Sequence, residues 1–180
     1  MFKLFCPCRV IPAIIEMVPA ELLGRGIRGV ILDLDNTVVP WGEEEVPPAH
    51  LAWTARAKEC GLKLCLVSNS RARRTEKVAR QLAVPWVSWA LKPLGRGFFQ
   101  AMKILDVSPL EIAVIGDQLL TDVLGGNRQG FYTVLVSPLS QREFITTKFN
   151  RVVEALAIRW LRTRGLWPEQ MPDVKNRRPE

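Results

Sequence analysis

Histidine and long apolar runs are scarce in this chain of 180 residues, and each shortage excludes a class of protein. The single histidine, His50, excludes a metal site or a mechanism that needs several histidines. It is expected on the surface, near the start of a helix. No run of sequence approaches the roughly 18 apolar residues that a membrane-spanning helix needs. The sequence therefore predicts no transmembrane anchor.

The four cysteines form no recognisable framework either. Cys6 and Cys8 would supply half of a zinc site, but no second pair of ligands with suitable spacing follows. Cys65 lies within an apolar run and is expected to be a small buried residue. The first residues lack the apolar stretch and the cleavage site of a signal peptide. A secreted, disulfide-linked domain is therefore not expected, and the cytoplasm is the predicted location.

What the chain does have is an excess of basic residues. Lys and Arg number 25 against 18 Asp and Glu, which gives a formal charge of +7 at pH 7. This sign favours an anionic partner, such as a nucleic acid, an anionic lipid surface or a phosphorylated substrate. The basic residues are dispersed and no aromatic RNA-recognition motif is present, so nucleic acid is the least expected of these partners. Nothing in the sequence indicates an oligomeric state.

Apolar runs of strand length alternate with stretches of helix length along most of the chain. Strands are predicted at residues 29–34, 62–67, 86–89, 112–115 and 132–136, the third being the weakest. Helices are predicted at about 49–60, 72–82, 95–105 and 119–129. Continuous, β-branch-rich runs are typical of strands buried on both faces of a parallel sheet. The alternation therefore predicts an α/β fold with a doubly wound parallel sheet.

Both ends of the chain fall outside this alternation. Residues 1–28 contain a short predicted helix that begins at Pro19. Residues 144–161 have the spacing of an amphipathic helix, with basic residues over much of the surface that is not apolar. The apolar face is expected to hold Ile145, Phe149, Val152, Val153, Leu156 and Trp160. The basic residues are Lys148, Arg151, Arg159 and Arg162.

Acidic residues follow two of the predicted strands, at the point where each strand ends. Asp33 and Asp35 come where the first strand breaks into a loop, and Asp117 and Asp122 follow the strand at 112–115. Ligands of a doubly wound sheet bind beyond the carboxyl ends of the strands. Clustered aspartates repel one another, and carboxylate oxygens suit a hard cation such as Mg²⁺. The sequence therefore predicts a Mg²⁺ site at this edge of the sheet.

Polar side chains also end the two strands in between. Ser68, which Asn69 follows, ends one strand, and Lys92 follows the weak strand at 86–89. Beside a Mg²⁺–aspartate cluster, these residues would bind phosphate. Asp33 could then attack phosphorus to give an aspartyl phosphate. Mg²⁺, Lys92 and Ser68 would neutralise the phosphate oxygens in the transition state.

Asp35 completes this chemistry as the proton donor and acceptor. It could protonate the leaving oxygen and later deprotonate the attacking water. The sequence thus predicts a Mg²⁺-dependent phosphomonoester hydrolase.

These residues resemble a known family. DLDNT, a strand-end serine, a later Lys-Pro and GDQLLTD occur in the order of the four motifs of the haloacid dehalogenase superfamily of phosphatases. The longer stretches GIRGVILDLDNTVVPW, KPLGRGF and VIGDQLLTDVLGGNRQGFYTVLVSPL are similar to the bacterial YqeG family, of subgroup IIIA. The resemblance covers residues 10–160.

The resemblance implies a role for each motif residue. Asp33 would be the nucleophile and Asp35 the general acid and base, while Ser68 and Lys92 would bind the phosphate. The Mg²⁺ ligands would be Asp33, the backbone carbonyl of Asp35 and Asp117. Asp122 would support these ligands from behind or serve as an alternate acid. The implied core is Rossmann-like, with the first and fourth predicted strands adjacent.

The resemblance also divides the chain and implies that it has no cap domain. Residues 1–28 would be an N-terminal extension, 29–163 the phosphatase domain and 164–180 a polar tail. Superfamily members with caps insert them after the first motif or between the second and third. Those intervals here hold only a helix and a strand each. An uncapped site must exclude water by means of its substrate or a partner, which suits a large substrate.

Related proteins with this motif set hydrolyse phosphatidylglycerophosphate, which the resemblance makes the leading substrate. A phosphoprotein, a small soluble phosphate ester, or a non-catalytic scaffold that binds RNA or protein are the alternatives. The basic C-terminal helix could hold the protein at the inner face of an anionic membrane, or its charges could form an ordinary solvated surface. Trp53, Trp86 and Trp89 are expected in or near the core, and Trp41 at the rim of the site.

Overall fold

Six parallel strands form a single sheet in the computed structural model, which describes residues 2–140 and 145–168. The strands are β1 (Arg9–Ile11), β2 (Gly29–Leu32), β3 (Lys63–Val67), β4 (Trp86–Val87), β5 (Ile112–Gly116) and β6 (Tyr132–Val136). Their order across the sheet is β1-β6-β5-β2-β3-β4, and every pairing is parallel. The predicted doubly wound parallel sheet is confirmed, with β2 next to β5.

Helices connect the strands. They are α1 (Pro19–Gly24), α2 (Pro48–Glu59), α3 (Ala72–Leu82), α4 (Gly95–Leu105), α5 (Leu124–Arg128) and α6 (Ile145–Thr163). The helix predicted at 119–129 is divided into a π-helical turn, Leu119–Val123, followed by α5. Single π turns are common at functional sites.

Both faces of the central strands are buried, which explains their continuous apolar sequence. Val30 and Leu32 of β2 pack in a core that includes Trp53 of α2, whereas Ile31 packs on the other face with Phe98 of α4. Successive side chains of a strand point to opposite faces of a sheet. One strand therefore serves two cores, and helices cover both sides of the sheet.

The prediction that residues 1–28 lie outside the alternating pattern is wrong for Arg9–Ile11. This segment is the edge strand β1, which pairs with Val134–Val136 of β6. Only three residues long and followed by Pro12, it is too short to show strand periodicity. Proline is tolerated there because the strand lies at an edge. The short helix predicted to begin at Pro19 is observed as α1.

The predicted apolar face of α6 is also partly wrong. Leu156 is 65% exposed, whereas Leu161 is 1% exposed. Positions 154 and 161 are buried, and 157 and 158 between them are partly buried on the same helical face, while Trp160 of the predicted face is partly buried as well. The first of them is Glu154, whose carboxylate accepts a hydrogen bond from the N–H of Leu120. Because Glu154 is charged, the sequence pattern did not predict that this face of α6 is the buried one.

Several of the predictions for the C-terminal region lie outside the described part of the chain. The side chains of Ile145, Phe149, Val152, Val153, Lys148 and Arg151 belong to this group. Residues 169–180 of the predicted tail are also not described. Arg159 and Arg162 are exposed. Within the described ranges, no helix combines the length and the hydropathy that crossing a bilayer requires.

Two tryptophans expected in or near the core are at the surface instead. Trp53 is fully buried and donates a hydrogen bond from its indole N–H to the carbonyl of Met17. Trp86 and Trp89, by contrast, are 38% and 59% exposed. Trp86 is exposed because β4 is an edge strand of two residues, so one of its sides has no neighbouring strand, and Trp89 lies in the loop that follows β4.

His50 is buried rather than exposed. It lies in the first turn of α2 and is 6% exposed, because it shares a helical face with the buried Trp53 and Thr54. Neither ring nitrogen has a hydrogen-bond partner among the described residues. Burial therefore lowers the pKa of His50.

We predict that acid destabilises the protein through His50. Since its pKa is lower in the folded chain than the ordinary value of about 6.5, the unfolded chain binds a proton more readily. The free energy of unfolding should fall as the pH drops below about 6.5, by at most about 1.4 kcal/mol per pH unit. Urea unfolding of the native chain and of His50→Gln across this range measures the effect. The stability advantage of histidine over glutamine should shrink with acid; a pH-independent difference would contradict the prediction.

Candidate active site

Three aspartates meet at the carboxyl end of the two central strands. Asp33 directly follows β2 and its N–H donates to the carbonyl of Ile115, which fixes it beside the end of β5. Asp117 comes directly after β5, and Asp122 lies in the π turn. All three are buried, and their carboxylate oxygens lie within 4.8 Å of one another. The predicted approach of Asp33 and Asp117 is therefore observed.

The ammonium group of Lys92 lies between two of these carboxylates. Its Nζ is 2.5 Å from Oδ1 of Asp33 and 2.6 Å from Oδ1 of Asp122. Burial by itself lowers the pKa of Lys92, but the carboxylates of Asp122 and Asp33 outweigh it and raise the pKa. The lysine is therefore held as a cation, although its side chain is only 3% exposed.

The site carries more negative than positive charge. Three carboxylates share one buried ammonium, and burial raises the pKa of Asp33 to about 7 despite the opposing effect of Lys92. Oδ2 of Asp33 is buried and accepts no hydrogen bond from the described residues. A hard divalent cation would supply the missing positive charge and an oxygen-binding partner. The donor set therefore fits Mg²⁺ held by Asp33 and Asp117.

Asp35 stands apart from this cluster. Its Oδ2 accepts a hydrogen bond from Oγ of Ser70 at 2.5 Å, and its Oδ1 accepts one from Nη1 of Arg74 at 2.5 Å. The same guanidinium donates through Nε and Nη2 to the carbonyl of Glu43, at 3.1 and 2.7 Å. Arg74, in the first turns of α3, thus holds both the carboxylate and the loop that follows β2.

Ser70 and Arg74 were missed by the sequence analysis. Ser70 lies only two residues beyond the predicted Ser68, in the same strand-end segment. Arg74 looks like any basic residue on an amphipathic helix. The available signal was its position one turn after a strand-end motif, where a helix side chain can reach back over the edge of the sheet.

Asn36 organises the loop behind Asp35. It is buried and has a positive φ of 61°, a conformation that asparagine tolerates better than most residues. Its Oδ1 accepts hydrogen bonds from the N–H of Trp41 and from both the N–H and Oγ of Ser140. The loops after β2 and β6 are therefore joined beside the catalytic edge. Trp41 is 36% exposed there, as its predicted place at the rim requires.

Ser68 and Asn69 follow β3 on the other side of Asp33. Ser68 is buried, and its Oγ accepts a hydrogen bond from the N–H of Ser70. The Asn69 amide forms two hydrogen bonds with the main chain of Lys92, of 2.8 and 3.1 Å. The peptide bond after Lys92 is cis. The structure thus ties the Asn69 side chain to the lysine backbone, and its contact with phosphate stays a prediction.

Gly116 makes room for Asp122. Oδ2 of Asp122 accepts hydrogen bonds from the N–H of Gln118 and from Oγ1 of Thr121. A Cβ placed on Gly116 would lie 2.3 Å from Cγ of Asp122. Only glycine at this position lets the carboxylate fold back against the end of β5 and reach Lys92.

Two features surround the site: the short connections between its motif residues and a neighbouring pocket. Between Asp35 and Ser68 the chain forms only α2 and β3, and between Ser68 and Lys92 only α3 and β4, so no cap domain is inserted there. A pocket of about 190 Å³ adjoins Asp117, between the end of β6 and α6. Its walls are mainly apolar, with Ser137, Glu154 and Arg162 as polar members.

Fold and site together agree with the resemblance to phosphatases of the haloacid dehalogenase superfamily. The family profile described as mitochondrial PGP phosphatase matches residues 3–139. The chain belongs to this family and is a phosphatase.

Individual relatives agree with this assignment. The chain is 39% identical over 163 residues to the "Probable phosphatase YqeG" of Bacillus subtilis, covering 91% of this chain and 95% of that protein. It is 30% identical to the chloroplastic and mitochondrial phosphatidylglycerophosphate phosphatase 1 of Arabidopsis thaliana, over 82% of this chain and 46% of the plant protein. The mitochondrial phosphatidylglycerophosphatase of Saccharomyces cerevisiae is 30% identical over 61% of this chain and 66% of its own length.

Solved structures show the same fold. An uncharacterized protein from Listeria monocytogenes superposes with a TM-score of 0.53 at 14% identity, over 72% of this chain and 98% of that one. The cobalt-bound deoxy-D-mannose-octulosonate 8-phosphate phosphatase of Haemophilus influenzae superposes with a TM-score of 0.50 at 14% identity, over 78% and 91%.

We predict that Gly116→Ala damages the site and the fold together. The added methyl group must displace Asp122, which takes one carboxylate away from the Lys92 ammonium. Overpacking of this kind costs about 1–3 kcal/mol of stability, and hydrolysis of p-nitrophenyl phosphate should fall with it. Gly24→Ala is the control, because a Cβ there meets nothing within 4 Å. Thermal unfolding and phosphatase assays compare the two variants; equal behaviour would contradict the prediction.

Proposed function

We propose that this phosphatase cleaves phosphomonoesters with Mg²⁺ through an aspartyl phosphate on Asp33, and that its substrate is phosphatidylglycerophosphate. One observation carries the mechanism: Asp33, Lys92 and Asp117 lie together at the carboxyl ends of the central strands. The substrate is supported by the names of the plant and yeast relatives and by the lack of an inserted domain between Asp35 and Lys92.

The first half of the reaction transfers the phosphoryl group to the protein. A carboxylate oxygen of Asp33 attacks phosphorus, and the bond between phosphorus and the leaving oxygen breaks. Asp35, protonated for this step, gives its proton to the leaving oxygen. The charge on the transferring group is offset by the ammonium of Lys92, which is already held beside Asp33 and needs no rearrangement.

The second half restores the enzyme. A water molecule loses its proton to the carboxylate of Asp35 and attacks the aspartyl phosphate. The acyl-phosphate bond breaks, inorganic phosphate leaves, and the Asp33 carboxylate is free again. Ser70 and Arg74 keep the Asp35 carboxyl in one orientation through both halves.

A Mg²⁺ ion would be held by the carboxylates of Asp33 and Asp117 and by the backbone carbonyl of Asp35. When bound, it supplies positive charge that lowers the cost of bringing a phosphate dianion next to three aspartates. Asp122 keeps Lys92 in place rather than serving as a catalytic acid, because its Oδ1 is already paired with Nζ.

The surroundings of the site favour a lipid phosphate over a small free ester. Without a cap domain, water must be excluded by the substrate itself or by the surface that carries it. The pocket beside Asp117 offers apolar walls together with a hydroxyl, a carboxylate and a guanidinium, which suits a glycerol-like leaving group. The exposed Arg159 and Arg162 on α6 support peripheral contact of this protein with an anionic membrane.

We predict Mg²⁺-dependent release of phosphate from phosphatidylglycerophosphate in mixed micelles. Asp33→Asn should abolish it, since an amide cannot form the aspartyl phosphate while its similar shape preserves the fold. A panel of phosphoproteins, nucleotides and sugar phosphates, assayed in parallel, measures substrate preference. Near-full turnover by Asp33→Asn would exclude this residue as the nucleophile. Strong turnover of a phosphoprotein without lipid hydrolysis would overturn the proposed substrate.

We predict that Arg74→Gln affects substrates according to their leaving group. An alkyl phosphate needs a proton from Asp35, a contribution of about 10²–10⁴ to the rate, whereas p-nitrophenolate leaves without one. Loss of the Arg74 contact should therefore slow the alkyl ester far more than the nitrophenyl ester. Arg80→Gln, which removes an exposed arginine of the same helix, is the control. Equal slowing of both esters would show that Arg74 does not act through proton donation to the leaving group.

A further inference from the structure

Three large apolar side chains stand exposed around the catalytic lysine. Trp89, Leu91 and Leu94 are 59%, 52% and 59% exposed, whereas Ala90 and Lys92 between them are buried. We name residues 88–94 the lysine loop. A group of exposed apolar side chains at an active-site rim marks an interaction surface, because an ordinary loop carries polar residues at such positions.

The backbone of the lysine loop fixes this outward arrangement. The N–H of Ala90 donates to the carbonyl of Ser68 at 3.0 Å, and the N–H of Trp89 donates to the carbonyl of Ser70 at 3.3 Å. Trp89 and Leu91 have positive φ values of 50° and 54°, a conformation that bulky residues rarely adopt. Ala90 and Lys92 point inward, so the large side chains on either side of them are left in solvent.

The surroundings of the lysine loop are cationic. Arg71, which precedes α3, and Arg96, in the first turn of α4, are both exposed. Residues 77–105 contain no aspartate or glutamate. The carboxylates of Glu44 and Glu45 lie within ion-pair distance of Lys77, further along α3. The loop thus presents apolar side chains flanked by positive charge.

We propose that the lysine loop is the surface through which this phosphatase docks on an anionic lipid bilayer. Trp89, Leu91 and Leu94 enter the interfacial region, and Arg71 and Arg96 meet the lipid headgroups. Tryptophan suits the interface, apolar area drives the insertion, and basic residues add attraction to anionic lipid. The choice of a bilayer as partner rests on the proposed lipid substrate.

Docking through this loop would also close the site. Lys92 belongs to the same loop and pairs with Asp33, so the headgroup layer would lie directly over the catalytic edge. The bilayer then excludes water in place of the cap domain that this chain does not insert. The basic helix α6 offers charge, but among its described residues Leu156 is the one large apolar side chain that is exposed.

The test replaces the apolar side chains without disturbing the backbone. One variant carries Trp89→Asn, Leu91→Asn and Leu94→Ser, because asparagine tolerates a positive φ. A matched control carries Leu51→Ser, Leu110→Ser and Leu156→Ser, three exposed leucines away from the loop. Cosedimentation with vesicles of phosphatidylglycerol and phosphatidylcholine should show the loop variant binding at least about ten-fold more weakly than the native chain. The control should bind as the native chain does.

Equal binding by the loop variant and the native chain would overturn the proposal. Weaker binding by the control alone would assign the membrane surface to one of the three control leucines, and would overturn the proposal too. A second measurement covers the possibility that the loop variant does not fold. Brominated phosphatidylglycerol should quench the tryptophan emission of the native chain, and Trp89→Phe should remove much of that quenching. Loss of quenching in Trp160→Phe, and not in Trp89→Phe, would contradict the loop.

The vesicle assay is separate from the assay of the proposed function. Binding needs no turnover, so loop-dependent binding without lipid hydrolysis would overturn the proposed substrate and leave the docking surface. If the protein hydrolyses phosphatidylglycerophosphate in micelles but the loop variant binds vesicles as well as the native chain does, only the proposed docking surface is overturned.

Discussion

The buried ion pair that Lys92 forms with Asp33 and Asp122 is the interaction on which the rest of the site depends. Removing the ammonium would leave two carboxylates in a dry environment, where an unpaired charge is strongly destabilising. The fold therefore holds the lysine from several directions. The side chain of Asn69 hydrogen-bonds to the main chain of Lys92. Gly116 has no side chain, which leaves room for the carboxylate of Asp122. The side chains at the carboxyl ends of the central strands are thus arranged around the charge of Lys92.

The two aspartates of the first motif have different environments, which suits different tasks. Asp33 is buried next to an ammonium, and burial raises its pKa to about 7. Asp35 is held by an arginine and a hydroxyl in a less buried position, with 18% of its side chain exposed. Groups of the same chemical type can thus serve as nucleophile and as proton carrier because their surroundings differ. Asp33 directly follows β2, whereas Asp35 lies further out in the loop, beside the first turns of α3.

The motif residues and the central strands were predictable because they follow from local pattern. Asp33 and its partners lie at the ends of continuous apolar runs, and the ends of parallel strands meet at one edge. Three of the failures involve side chains whose exposure depends on what packs against them rather than on their residue type. His50 is a polar residue on a buried helix face, Glu154 is a charged residue in a buried stripe, and Trp89 is an apolar residue held outward by a loop. Residue type alone therefore predicts the wrong exposure for each of these side chains.

The position of β1 has a consequence for the order of assembly during synthesis. This strand pairs with β6, and the N–H of Cys8 meets the carbonyl of Thr133, 125 residues further along the chain. Within this sheet, β1 is synthesised before the other five strands and pairs with the one synthesised last, and contacts of such long range are slow to form. Until then it is an unpaired edge, which invites aggregation when it is long and flat. Because β1 has only three residues and Pro12 follows it, it offers few free backbone groups to which another chain could hydrogen-bond before β6 is in place.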